Sequence, residues 1–237
     1  MSAGEGSALV TGASRGIGRA IALRLARDGY EVIGVARGRG ALDALRDEIV
    51  AAGGRCRPIA VDLSNAQDTA QALSGLDVDV LVNNAGTGII KPFVDLSLDE
   101  WRAMVDLNVN ALFHVTRAVL PGMLQRGRGQ VCTIGSIGGR SAWVGGSCYG
   151  ATKAFVTSWS ESLMLEVRER GVKVSVVMPG GVATEFGGKV PNEADRWKLT
   201  PEDVADAVAH VLAAPGSVLV HRLEIRSSAA PPKRPPP

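Results

Sequence analysis

The chain has 237 residues, of which 46% are hydrophobic and 21% charged, with a formal charge of +2. That balance supplies apolar surface for a sizeable core, favours one large domain and is too weakly basic to point to a nucleic-acid surface. Cys56, Cys132 and Cys148, an odd set without CxxC spacing, argue against a disulfide framework or a thiolate zinc site, and the polar start MSAGEGS with no long apolar run leads us to expect a cytoplasmic protein without a membrane span.

SALVTG, Ser7 to Gly12, reads as a short apolar strand entering a glycine-rich turn, and IGRAIALRLARDG then repeats apolar residues at helical spacing up to Gly29. EVIGVA (Glu31 to Ala36) reads as a second strand, ALDALRDEIVAAGG (Ala41 to Gly54) as a helix with a glycine stop, and RPIAVD (Arg57 to Asp62) as a third strand. Ser64 and Gln67 have capping-box spacing for the next helix, and DVLVNNAG (Asp79 to Gly86) is a fourth strand running into a turn. Ser97 and Glu100 repeat that cap at the head of a long helix, Ser97 to Gln125, in which a break is allowed, and QVCTIGS follows as the fifth strand. Thr152 to Gly171 is helical by period, while the unbroken apolar run from Val172 to Gly181 predicts a strand buried on both faces. Thr200, Pro201 and Asp203 open a last helix, and SVLVHRLEI makes the seventh strand.

Strands alternating with helices predict an α/β fold, a doubly wound parallel sheet with right-handed crossovers and helices on both faces. We expect a single domain over 1–226 and a flexible proline-rich tail over 227–237. In such sheets ligands bind beyond the carboxyl ends of the strands, where TGASRGIG, NNAG, IGSIGG and MPGGVAT all fall.

TGASRGIG places Gly12, Ser14, Arg15, Gly16, Ile17 and Gly18 between a strand and a helix, where backbone N–H groups and the positive helix end can approach a pyrophosphate. Its GxxxGxG spacing differs from the GxGxxG dinucleotide fingerprint, and a tight turn without a ligand is the plainer alternative. About 20 residues further on, an acid would hold the ribose of NAD. Arg37 stands there instead, and its fork suits a dianionic 2'-phosphate, so the expected cofactor is NADP(H), with Arg15 closing on the same group. Asp62 ends the third strand, where it either accepts from the adenine amino group or caps a helix with Ser64.

Taken together, TGASRGIG, Asp62-Leu63, NNAG, Asn108, Ser136, YGATK and PGGVAT stand in the order and spacing of the short-chain dehydrogenase/reductase family, which the chain resembles from about Ser7 to Ile225. The resemblance implies a Rossmann-type sheet of seven parallel strands holding a nicotinamide dinucleotide, with Asn108, Ser136, Tyr149 and Lys153 as catalytic positions. It also implies that Val182 contacts the nicotinamide carboxamide, that Thr184 reaches it or the pyrophosphate, and that Pro179 and Gly180 line the same stretch. Asn83 is expected to pin neighbouring strands while Ala85 and Gly86 leave room for the cofactor.

Carbonyl reduction leaves negative charge on oxygen, which calls for a proton donor and a preorganised hydrogen bond. Tyrosine, with an ordinary pKa of about 10, needs help near neutrality, and Lys153 one helical turn from Tyr149 is expected to lower it while gripping the nicotinamide ribose. Ser136 is expected to bond the substrate oxygen, and Asn108, by resemblance, to hold water that refills the proton on Lys153. Taken singly, each residue has a plainer reading: a solvated lysine, a turn serine, a capping asparagine.

The substrate is expected to be a small-molecule carbonyl or alcohol enclosed by 88–91, 138–143, 145–148 and a mobile polar segment over 185–197. Trp143 either lines that pocket or fills core, Lys91 and Arg140 are candidate carboxylate ligands, and Cys148 is a packing residue. The ending VLVHRLEIRSS resembles the branch with 3-hydroxy acid and serine dehydrogenases. A non-catalytic NADP(H)-sensing regulator is the alternative class. His114, His210 and His221 lack ligand spacing, so no metal is expected, and a homotetramer or homodimer is.

Overall fold

Short apolar strands that must bury both faces find that burial in one sheet. The computed structural model describes residues 6–188 and 190–229; of the expected proline-rich tail, residues 230–237 lie outside them. The strands are β1 (Ser7–Thr11), β2 (Glu31–Ala36), β3 (Arg55–Ala60), β4 (Val80–Asn83), β5 (Gly129–Ile134), β6 (Val172–Pro179) and β7 (Arg222–Ile225). All neighbours pair in parallel, in the order β3-β2-β1-β4-β5-β6-β7. Parallel pairing needs crossovers, supplied by α1 (Gly16–Arg27), α2 (Arg39–Ala51), α3 (Ala66–Leu73), α4 (Leu98–Val105), α5 (Ala111–Arg126), α6 (Ser147–Val167) and α7 (Pro201–Leu212).

Alternation along each strand divides the core in two. Ala8 and Val10 of β1 pack with Ile21 of α1, Leu42 of α2 and Val208 of α7, whereas Leu9 between them packs with Leu73 of α3, Val115 of α5 and Leu163 of α6. Each such Val, Leu or Ile side chain, fully buried, contributes about 1.5–3 kcal/mol, and this burial rather than helix propensity holds the helices on the sheet. The strand order reverses between β1 and β4, so a crevice opens beyond their carboxyl ends.

Four elements depart from the sequence expectation. The cap of α3 is Asn65, whose side-chain Oδ1 accepts from Gln67 and Asp68 N–H, because Ser64 is already bonded to Asp62. The predicted long helix is interrupted by a π-helical turn, Asp106–Asn110, between α4 and α5. The α6 helix begins at Ser147, five residues before the periodic stretch, since glycine and tyrosine hide its first turn from a hydrophobic period. Only Arg222–Ile225 of the last run pairs with β6. The capping boxes at Ser97/Glu100 and Thr200/Asp203 form as expected.

Candidate active site

A cavity of about 760 Å³ occupies the crevice and runs from Arg37 and Asp62, past the glycine turn, to Tyr149 and Phe186. Its floor is the start of α1. The first N–H groups of a helix have no partner within it, and the residue before α1, Arg15, supplies no side-chain cap, nor is there an acid in the first turn. The N–H groups of Gly16, Ile17 and Gly18 therefore remain available to an anion, reinforced by the helix dipole. Gly18 is required for this closeness: a Cβ there would lie 2.2 Å from the Gly12 carbonyl oxygen and 2.4 Å from Asn84 Nδ2. Arg15 and Arg37 are both exposed on the cavity, and neither forms an ion pair among the described residues. Asp62 lies nearby; hydrogen bonds from Ser64 hold its carboxyl below the ordinary range, with the Arg37 charge adding a little. Its Oδ1 is thus engaged by the Ser64 turn, and Asp62 does not cap α3, whose cap is Asn65. Leu63, Ala85, Gly86, Pro179, Gly180, Val182 and Thr184 also line the cavity. An elongated ligand with a central diphosphate and a further phosphate near Arg37 fits these donors.

Of the two asparagines in NNAG, it is Asn84 and not Asn83 that ties neighbouring strands. Asn83 is buried and donates to Thr116 Oγ1 on α5, so it ties sheet to helix and does not line the large cavity. Asn84 donates to the Thr11 carbonyl at 2.9 Å, and its own N–H reaches Thr11 Oγ1, so Asn84 pins β1 to β4 and borders the cavity. The cause is strand parity: adjacent residues face opposite sides. Parity was the available signal for Asn84.

Tyr149 and Lys153 occupy the first two turns of α6, and Ser136, just past β5, lies beside them. Lys153 is buried and donates to the Ile134 carbonyl at 2.9 Å, and burial pulls its amine down to about 8. Burial pushes the Tyr149 phenol up, while the Ser136 hydroxyl pulls the other way. The expected lowering of Tyr149 by Lys153 is therefore not what dominates here; desolvation is. Asn108, in the π-helical turn, is 3% exposed and makes no bond to Lys153. Its Oδ1 accepts from Thr87 N–H at 2.8 Å, and its Nδ2 donates to the Thr87 carbonyl and to Thr152 Oγ1. It clamps the segment after β4 to α6 next to Lys153. Behind them is a cavity of about 10 Å³ bordered by Asn108, Thr133 and Lys153, about the room one water needs. Thr133 Oγ1 is buried there without a partner among the described residues.

At the far end the Tyr149 ring stands between two others. Trp143 meets it edge-on at 6.2 Å and Phe186 lies tilted at 5.6 Å. Trp143 thus borders the cavity rather than filling core. Phe186 was missed as an individual residue, since one aromatic in a polar loop has no period to reveal it. Its segment folds over the cavity and is anchored where Val182 bridges Leu199. The candidate carboxylate ligands are both engaged: Lys91 with Glu100 at 2.7 Å, Arg140 with Glu224. Cys148 is buried and its thiol pushed up by desolvation, which suits packing. No group of three or more metal-ligating side chains gathers among the described residues.

The family described as short chain dehydrogenase matches residues 7–195. An NADP-dependent 3-hydroxy acid dehydrogenase, YdfG of Salmonella typhi, is 38% identical over 234 residues, covering 92% of this chain and 93% of that protein. The serine 3-dehydrogenase of Rhizobium radiobacter is 34% identical over 236 residues, with 93% of each chain covered. Among solved structures, the closed form of a serine dehydrogenase complexed with NADP+ superposes with a TM-score of 0.85 at 36% identity, covering 92% of this chain and 94% of that one. With its sheet order, its glycine turn and its tyrosine and lysine on α6, the chain belongs to the short-chain dehydrogenase/reductase family.

Proposed function

We propose that this oxidoreductase transfers a hydride between NADP(H) and a carbonyl or secondary alcohol. The observation that carries this reading is the meeting, in one cavity, of an uncapped helix start, Arg37, and the Ser136, Tyr149 and Lys153 side chains. Reduced nicotinamide supplies the hydride when bound. The N–H groups of Gly16, Ile17 and Gly18 would take the diphosphate, with Gly12 and Ser14 shaping the turn. Arg37 and Arg15 would take the 2'-phosphate and Asp62 the adenine amino group. Leu63, Ala85 and Gly86 would border the adenosine and ribose, and Pro179, Gly180, Val182 and Thr184 the nicotinamide. Asn83 supports this wall indirectly, through Thr116.

Tyr149 holds its proton through neutral pH because burial favours the phenol. It donates that proton to the substrate oxygen, where Ser136 supplies a second hydrogen bond. Lys153 would hold the nicotinamide ribose and return a proton to Tyr149, with the water-sized space at Asn108 behind it. The reverse reaction uses the same groups in the opposite sense. A regulator that binds NADP(H) without turnover would not need a buried lysine beside a tyrosine facing the cavity. Tyr149→Phe tests the assignment: kcat should fall by about 10²–10⁴ while NADPH binding, followed by fluorescence, is retained. Near wild-type turnover would overturn it.

We further read the chain as a cytoplasmic homodimer or homotetramer. No helix among the described residues is long and apolar enough to cross a membrane. Phe113 of α5 and Phe155 and Leu165 of α6 are exposed apolar side chains that a second copy would cover. Light scattering on the purified protein checks this, and a monomer would refute it.

A further inference from the structure

We propose that the substrate is an uncharged ketone, or the corresponding alcohol, bearing a bulky apolar or aromatic group, and not a hydroxy acid. The proposal rests on the oxidoreductase reading above and concerns the end of the cavity beyond Tyr149.

Two observations carry it. The first is the wall. The ring that delivers the proton is flanked by Trp143 and Phe186, and Ile90 adds an aliphatic side chain. Both flanking rings remain partly open, 38% for Trp143 and 41% for Phe186, so apolar surface faces the cavity beside the reacting group. Their placement is built into the backbone. A Cβ on Gly88 would come within 2.5 Å of the Phe186 ring and 2.9 Å of the Tyr149 ring, and one on Gly146 within 2.4 Å of the Trp143 ring. The chain has given up side chains at these positions to seat two aromatic rings against the tyrosine. A flat apolar group on the substrate would fill the slot with offset or edge-on contacts of the kind aromatic rings favour.

The second is the charge inventory. A carboxylate carried into this slot loses its water and needs a cation in return. Among the described residues the cations around this end are already engaged. Lys91 is held by Glu100 at 2.7 Å, Arg140 by Glu224, and Lys198 by Asp195 at 2.5 Å. Of these only Lys198 borders the cavity. Lys153 is buried, bonded to the Ile134 carbonyl and committed to the tyrosine. Arg15 and Arg37 border the opposite end, at the glycine turn and beyond β2. Relatives named for a 3-hydroxy acid and for serine match over 92% and 93% of this chain, but among the described residues the slot here offers no unengaged cation to an acid.

Initial rates of NADPH loss with two matched pairs test the inference: levulinate against its methyl ester, and benzoylpropionate against its methyl ester, with diacetyl as a small reactive carbonyl. In each pair the ester should exceed the free acid in kcat/KM by about tenfold or more, and the methyl ester of the phenyl ketone should exceed that of the methyl ketone by about tenfold. Phe186→Ala should remove most of the phenyl preference through KM, with the NADPH dissociation constant retained. Free acids that match or surpass their esters would overturn the inference while leaving the oxidoreductase reading intact. So would reduction of diacetyl without reduction of methyl benzoylpropionate. Silence toward diacetyl and all four ketones would overturn the oxidoreductase reading, and the inference with it.

Discussion

The two ends of the cavity are made from different materials. At the glycine turn the cavity is lined mainly by backbone: N–H groups of α1, the strand end at Ala36 and Arg37, and small residues that leave space. Beyond Tyr149 it is lined by side chains, Trp143, Phe186 and Ile90, carried on irregular segments. Backbone donors are fixed by the fold and specify a ligand that many proteins share, whereas loop side chains turn over without disturbing the sheet. A chain of this kind can keep its cofactor and change its carbonyl.

The comparison can be broken at its joint, Lys153, where the two ends meet. Burial lowers this amine from the ordinary 10.5 to about 8. The folded-state pKa lies below the unfolded one, so the ammonium costs stability. The cost is complete below about pH 8 and fades as pH rises toward 10.5. It amounts to about 3 kcal/mol. Lys153→Met should therefore gain stability relative to wild type near neutrality, an advantage that shrinks toward alkaline pH; denaturation midpoints across pH measure this, and a pH-independent difference would contradict it.

Gly18→Ala strikes the backbone end alone. Its methyl would meet the Gly12 carbonyl, and the displacement should cost about 1–3 kcal/mol and weaken NADPH binding, read by calorimetry. Unchanged affinity would mean that the turn is not the diphosphate site. Arg37→Asp acts on the same end by charge, lowering the preference for NADPH over NADH by about tenfold to a hundredfold. A preference that stays put would remove Arg37 from the phosphate. Gly88→Ala addresses the side-chain end: its methyl would meet both the Phe186 and the Tyr149 rings, so KM for a bulky ketone should rise by about tenfold, with kcat falling alongside it. A matching loss of NADPH affinity would show that the ends are not independent.

The sequence reveals the fold well because strands of four to eight residues closed by glycine turns repeat the same α/β unit. Positions that depend on backbone economy, such as Gly18 and the strand end at Arg37, are legible for the same reason. What escapes is whatever parity or packing decides. Asn83 and Asn84 are chemically identical, and only the side of β4 each faces assigns one to α5 and the other to the turn. Asn65 displaced Ser64 as a cap because Asp62 had claimed the serine. Phe186 has no periodic neighbours and declares itself only by lying against Tyr149. The direction in which Lys153 and Tyr149 shift is also hidden, since desolvation depends on what the finished fold packs around them.

The widened turn at Asp106–Asn110 acts as a gear. Each residue added to a helix rotates everything after it by about 100°, so the inward faces of α4 and α5, marked by Met104 and by Ala111, Val115 and Val119, are cut to different phases of one rod. Deleting a single residue there would produce a more regular helix with better backbone bonding. It would also swing one apolar stripe out of the core and carry Asn108 away from Thr87 and Thr152. In this stretch regularity itself would be the lesion, and the apparent defect is what keeps two halves of a helix in step with one site.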